Sequence, residues 1–284
     1  MTREPSGSPG TLYVVSTPIG NLGDLSARAR AVLEGVDAIA CEDTRHTGRL
    51  LVLTGISAPR LVSLHAHNER ERSAALVDEL LAGASVALVS DAGTPLVSDP
   101  GERLVAAAAA AGIEVVAVPG PSALLAAIVV SGFASGRWRF EGFLARKGPE
   151  RRSAIADIAS AAHPSVLYES PLRLAATLLD LAAACGEERR VAVARELTKL
   201  HEQTWRGTLG DAAELARSRT PRGEHVVVVD AAPAARSAAP DLAAALAALV
   251  AAGLARRDAV TAAVVLLQVP HRDVYAASLE LPRG

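Results

Sequence analysis

Ala87-Leu88-Val89-Ser90-Asp91-Ala92-Gly93-Thr94-Pro95 decides the fold of this chain, and Val115-Val116-Ala117-Val118-Pro119-Gly120-Pro121-Ser122 repeats its grammar. Each is a short apolar run that breaks into small or turn-forming residues and is followed by a helical pattern. That order reads as a buried strand whose carboxyl end opens into a ligand crevice. Small loop residues let backbone N–H and C=O groups approach a ligand closely, and Asp91 adds a carboxylate at the crevice edge.

Outward from these two runs, strand and helix alternate. Strands are expected at 12–16, 38–41, 61–64 and 86–89, and helices at 25–34, 44–53, 68–81, 102–111 and 121–130. Repeated βα units imply a parallel sheet covered on both faces, here an amino-terminal α/β domain over 11–132. A Gly- and Ser-rich linker at 131–137 leads to a different grammar: strands at 138–143, 165–168, 190–194, 201–206 and 224–229, with helices near 151–161, 172–184 and 211–216. Several of these strands lack intervening helices, which implies a mixed sheet in a second α/β domain over 138–230. A cleft between the two domains is the expected active site. An Ala- and Pro-rich linker at 231–240 precedes a helical segment at 241–284, and residues 1–10 have the composition of a flexible tail.

With 284 residues, half of them apolar, the chain can bury a sizeable core. Its formal charge of −2 advertises no global attraction to nucleic acid, so any RNA contact must come from local patches. The two lysines, Lys147 and Lys199, stand against 27 arginines, a bias read as base composition rather than chemistry. Cys41 and Cys185 form no disulfide framework, which fits a reducing cytoplasm. The sequence offers neither an 18-residue apolar span nor a signal-peptide start, so no membrane partner is expected.

Several strand ends gather polar groups. Ser16-Thr17-Pro18-Ile19-Gly20-Asn21 allows a tight loop but carries neither a dinucleotide fingerprint nor a Walker lysine, which argues against a nicotinamide enzyme. Glu42-Asp43-Thr44-Arg45-His46 either caps a helix and pairs its own charges or places a carboxylate and a guanidinium in the crevice. His65-Ala66-His67-Asn68-Glu69 invites a metal reading, yet no third-ligand set accompanies it, and no metal is expected. Tyr168-Glu169-Ser170 and Arg195-Glu196-Leu197-Thr198-Lys199 follow apolar runs in the second half.

Taken together, these motifs resemble a family of small-subunit ribosomal RNA methyltransferases within the tetrapyrrole methylase superfamily, in the same order over roughly residues 11 to 230. The resemblance implies a tetrapyrrole-methylase-like fold of two α/β domains with the cofactor cleft between them. It also implies S-adenosyl-L-methionine as cofactor, transfer of its methyl group to the ribose 2′-hydroxyl of a cytidine in the decoding region of 16S rRNA, the small ribosomal subunit as partner, and a homodimer. By the same analogy Pro18, Ile19, Asp91, Ala92, Gly93, Thr94, Ser122, Ala123, Tyr168, Glu169, Ser170, Leu197, Gly223 and Glu224 line the cofactor pocket. Arg45, His46, His67, Asn68 and Glu69 then face the nucleotide. A ribose hydroxyl is a weak nucleophile, so Glu42 or Asp43 is a candidate base, and Lys199 a candidate to stabilise the alkoxide or bind phosphate. The rival readings are a C-methyltransferase acting on a tetrapyrrole or precorrin and a non-catalytic ribosome assembly factor.

Overall fold

The computed structural model describes residues 9–57, 59–133, 136–218, 223–233 and 241–280. Residues 1–8 of the tail expected at 1–10, 134–135 of the first linker and 234–240 of the second lie outside the described residues. Two compact units divide the chain, Met1–Ala232 and Pro233–Gly284.

In the first unit, Thr11–Val15 (β1), Ala38–Cys41 (β2), Arg60–Ser63 (β3), Val86–Leu88 (β4) and Glu114–Val118 (β5) form an all-parallel sheet in the order β3-β2-β4-β1-β5. Alternation sorts its side chains onto two faces. Val15, Ile39, Cys41, Ala87 and Val89 pack on one side with Ala29 and Leu33 of Ala27–Gly35 (α1) and Leu51 of Thr44–Thr54 (α2). Leu12, Ala40, Val86 and Leu88 pack on the other with Leu76 and Leu80 of Glu69–Leu81 (α3) and Leu104 and Ala108 of Glu102–Ala110 (α4). Burial on both faces explains why these strands are almost uniformly apolar. α1 begins two residues later than its apolar pattern suggests, because Leu22–Asp24 winds as a 3-10 turn and Ser26 Oγ accepts from the Ala29 N–H to cap the helix.

The second sheet runs β6-β7-β10-β8-β9, with Arg139–Phe143 (β6), Ser165–Glu169 (β7), Arg190–Arg195 (β8), Gln203–Thr208 (β9) and His225–Val229 (β10). β6 and β7 are parallel and the remaining neighbours antiparallel, so the sheet is mixed. Pro149–Ser160 (α6), Leu174–Cys185 (α7) and Leu209–Ser218 (α8) cover one face around Leu167, Val191 and Val227. Ala123–Ser131 (α5) covers the other around Val166, Ala192, Ala194, Val226 and Val228. Chain order alone groups α5 with the first sheet. Its apolar residues Leu124, Ala127 and Ile128 are instead buried on the second.

β9 starts two residues later than its pattern suggests. The Glu202 carboxylate accepts from the Thr198 N–H at 2.7 Å and closes the preceding turn.

The second unit contains Leu242–Ala251 (α9), Arg256–Leu267 (α10) and His271–Leu279 (α11) around Leu246, Ala259, Val260, Ala263 and Val274. Gln268, in the left-handed region at φ 51°, turns the chain between α10 and α11. Among the described residues no helix is long and apolar enough to cross a membrane.

Candidate active site

Three loops leave the carboxyl ends of β1, β4 and β5 and are sewn together by short hydrogen bonds. Thr17 and Gly93 exchange backbone bonds at 2.9 and 3.1 Å. The Thr94 hydroxyl donates to Pro121 O at 3.0 Å and lies 3.0 Å from the Ser16 hydroxyl. Gly120 lies so close to Ser16 that a methyl group at this position would come within 2.9 Å of Ser16 Cβ, so only glycine permits this approach. Asp91 Oδ1 accepts from the Asp43 N–H at 3.2 Å, which ties the β2 loop into the same assembly. The loop quoted first therefore keeps its backbone in one shape before any ligand arrives.

Opposite these loops stands the second sheet, and the two enclose a cavity of about 280 Å³. Ile19, Asp91, Ala92, Gly93, Thr94, Ser122 and Ala123 line it from the first sheet's loops and the start of α5. Tyr168, Leu197 and Glu224 line it from the second sheet, with Glu42 and Lys199 also in the wall. Ser122 Oγ accepts from the Leu125 N–H, so it caps α5, and Pro121 precedes the helix rather than opening it.

Other residues singled out in the sequence lie outside the lining. Pro18 is buried, next to Ile19 in the chain. Glu169 is fully buried, accepting from Thr177 Oγ1 at 2.6 Å and from the Ser170 N–H at 2.8 Å, so its carboxylate faces α7 on the far side of the sheet. Ser170 follows it, and Gly223 sits behind Glu196. Asp43 caps α2 and binds the exposed Arg45 at 2.7 Å, while His46 and His67 are exposed. Asn68 accepts from the His65 N–H and donates to Ser63 O, bracing the turn before α3. Glu69 Oε1 accepts from the Gly101 and Arg103 N–H groups at the start of α4.

Several lining residues escaped the sequence reading. Val97, Ser98 and Asp99 belong to the loop quoted first, a few residues further on. A second Ser-Asp pair was a usable sign there. Phe143 had no such sign. A β-bulge between Phe140 and Gly142 shifts the register of β6, and both phenylalanines meet Tyr168, at ring distances of 5.0 and 5.4 Å.

The electrostatics of the cavity are acidic. Burial pushes the Asp99 carboxyl up to about 6, reinforced by the negative charge of Glu42, opposed by the Ser90 hydroxyl, and raised further by Asp91 and Glu224. Burial and then Asp91 raise Glu42, and His65 opposes them. Asp43 behaves in the opposite way, since hydrogen bonds from Arg45 hold it well below the usual carboxylate range. Such a cavity favours a compact cation bounded by flat apolar surface.

The sequence pattern described as Tetrapyrrole (Corrin/Porphyrin) Methylases matches residues 11–213, both sheets included up to α8, and makes this two-sheet chain a methylase of that class. Solved structures share the fold. Diphthine synthase superposes with a TM-score of 0.60 at 17% identity over 78% of this chain and 89% of its own. Uroporphyrin-III C-methyltransferase from Thermus thermophilus, complexed with S-adenyl homocysteine, gives 0.56 at 17% over 78% and 97%.

Sequence relatives are far nearer. Ribosomal RNA small subunit methyltransferase I of Synechocystis sp. is 48% identical over 275 residues, covering 96% of this chain and 98% of the relative. The protein of that name from Escherichia coli O157:H7 is 42% identical over 280 residues, covering 98% of each. The chain belongs to the ribosomal RNA small subunit methyltransferase I family of the tetrapyrrole methylases.

Proposed function

We propose that the protein is an S-adenosyl-L-methionine-dependent methyltransferase that methylates the ribose 2′-hydroxyl of a cytidine in the decoding region of 16S rRNA. The observation that carries the reading is the acidic cavity walled by Glu42, Asp91, Asp99 and Glu224 between two sheets, in a chain whose full-length relatives bear the name of a small-subunit rRNA methyltransferase. Carboxylates facing a cavity suit the sulfonium and ammonium of this cofactor, while Ile19, Val97, Phe143 and Tyr168 offer apolar surface to its adenine. Bound there, the cofactor supplies an activated methyl group and its own driving force, so the proposed chemistry needs no metal.

The protein's part is alignment and proton handling. Ala92, Gly93, Thr94 and Ser122, fixed by the stitched loops, hold the donor. Pro18 supports this wall, with Ala123, Leu197 and Glu224 completing it and Glu169, Ser170 and Gly223 shaping the second sheet behind it. Glu42, raised from its ordinary value by burial and standing at the rim, is the better base of the two sequence candidates. Asp43, already bonded to Arg45, is a poor one. Lys199 offsets the negative charge that develops on the attacking oxygen or on the adjoining phosphate. Arg45, His46 and His67, exposed to solvent, are the residues that would meet RNA, with Asn68 and Glu69 bracing the loop that carries His67.

The proposal includes a homodimer acting in the cytoplasm. Leu125 and Val129, four residues apart on α5 and 51% and 70% exposed, give a subunit contact an apolar stripe. The test is transfer of labelled methyl from S-adenosylmethionine to small ribosomal subunits from a strain lacking this activity, with the product nucleoside identified by mass spectrometry. Label on a cytidine ribose supports the reading. Cofactor binding without RNA label, or label on a base, contradicts it.

A further inference from the structure

Lys199 sits at the tip of the β8–β9 hairpin, and its side chain does not extend freely into water. Its stem rests on Gly20 in the loop after β1, where an added methyl group would collide with Cγ, Cδ and Cε of the lysine. Its ammonium donates to Glu196 Oε1 at 3.0 Å. Glu196 in turn lies against Gly223, just before β10, where an added methyl group would strike its carboxylate. Gly20, Lys199, Glu196 and Gly223 thus form a line of contacts from the first sheet's loop to the last strand of the second sheet. The hairpin is locked around it. Glu196 and Thr198 both occupy the left-handed region, at φ 51° and 67°, and the Lys199 N–H donates to Glu196 O at 2.9 Å.

We propose that Gly20 is a positioning residue whose bare α-carbon seats the Lys199 stem and, with Glu196, holds the ammonium at the cavity wall. The inference rests on the reading of Lys199 as a group that meets the methyl acceptor. A lysine on a flexible four-carbon stem samples many rotamers, and ordering it during the reaction adds to the barrier. A seat and a carboxylate partner remove most of that freedom beforehand.

The seat can be tested cleanly. Gly20 does not need the left-handed region, and the three atoms nearest to a new Cβ belong to one flexible side chain. Gly20→Ala therefore displaces Lys199 without straining the fold. Gly223→Ala would mix both effects, because Gly223 has φ 72°.

With two lysines in the chain, acetic anhydride labelling followed by peptide mass spectrometry reads Lys199 against the exposed Lys147 within one molecule. For Gly20→Ala we expect Lys199 to label several-fold faster relative to Lys147. Affinity for S-adenosylmethionine, read by calorimetry, stays within about twofold, kcat for methyl transfer falls about tenfold, and KM for RNA changes less. Adding Gly20→Ala to Lys199→Ala should cost nothing further, because the two act through one group.

An unchanged labelling ratio in Gly20→Ala overturns the seat. Faster labelling with undiminished kcat, or an equal kcat loss in the Lys199→Ala background, overturns the positioning role. Wild-type turnover in Lys199→Ala overturns instead the reading of Lys199 on which the inference rests, while the labelling ratio still reports the seat.

Discussion

The first sheet meets the cavity with loops of small residues, Ala92, Gly93, Thr94 and Ser122, cross-linked by Ser16, Thr94 and Pro121 and edged by the carboxylates of Glu42, Asp91 and Asp99. The second sheet meets it with large or charged side chains, Phe143, Tyr168, Glu196, Lys199 and Glu224. The difference follows from topology. Parallel strands end in adjacent loops at one sheet edge, so three loops can share hydrogen bonds and present N–H and C=O groups in fixed positions. The mixed sheet offers a face and a hairpin, so it contributes what projects from them. The first wall fixes a ligand by backbone shape and edges it with the carboxylates of Glu42, Asp91 and Asp99, and the second meets it with projecting side chains.

The sharpest way to break this division is to alter one wall at a time. Removing the rim base with Glu42→Gln should lower single-turnover methyl transfer about a hundredfold while S-adenosylmethionine still binds. A comparable loss of binding would mean that Glu42 holds the cofactor rather than acting on the methyl acceptor. Gly120→Val forces β-branched bulk against Ser16 and separates the loops. It should destabilise the protein by about 2 to 3 kcal/mol in urea unfolding and abolish cofactor binding. Thr94→Val breaks the link to Pro121 O without adding bulk, so a smaller loss of about 1 to 2 kcal/mol is expected in the same assay, with weakened rather than absent binding.

The smallest effect comes from Asp99. Its carboxyl titrates near 6 in the folded protein against an ordinary 3.8, so the folded state keeps a proton that the unfolded chain releases. Stability therefore falls as pH rises from about 4 to 6, and the penalty persists above 6. Asp99→Asn removes the penalty. Its melting temperature should exceed that of the wild type at pH 8 and match it below pH 4, whereas an equal difference at both values would mean that burial of this carboxyl is not the cause.

Much of the first wall was legible in the sequence. Small residues after an apolar run imply a backbone-lined crevice, and Ser90 to Thr94 and Pro119 to Ser122 both do this. The chemistry of the other wall was less so. The bulge that brings Phe143 to Tyr168 depends on pairing with β7, and no local pattern announces it. The packing of α5 on the second sheet is a choice between two apolar faces that periodicity does not rank. The family resemblance puts Glu69 beside the nucleotide, and nothing in its sequence neighbourhood announces the contacts it makes. Its two bonds to the start of α4 come from residues more than 30 positions away. Side-chain partners set by tertiary contact are what a single sequence withholds.

Hydrogen exchange with and without S-adenosylmethionine tests the two-walled cavity most directly. The account predicts slowed exchange in both walls at once, in the loops over 91–99 and 119–123 and in the segments over 194–199 and 223–226. Protection confined to one sheet, or appearing instead in the cleft between α7 and α8 beside Trp205, would contradict it.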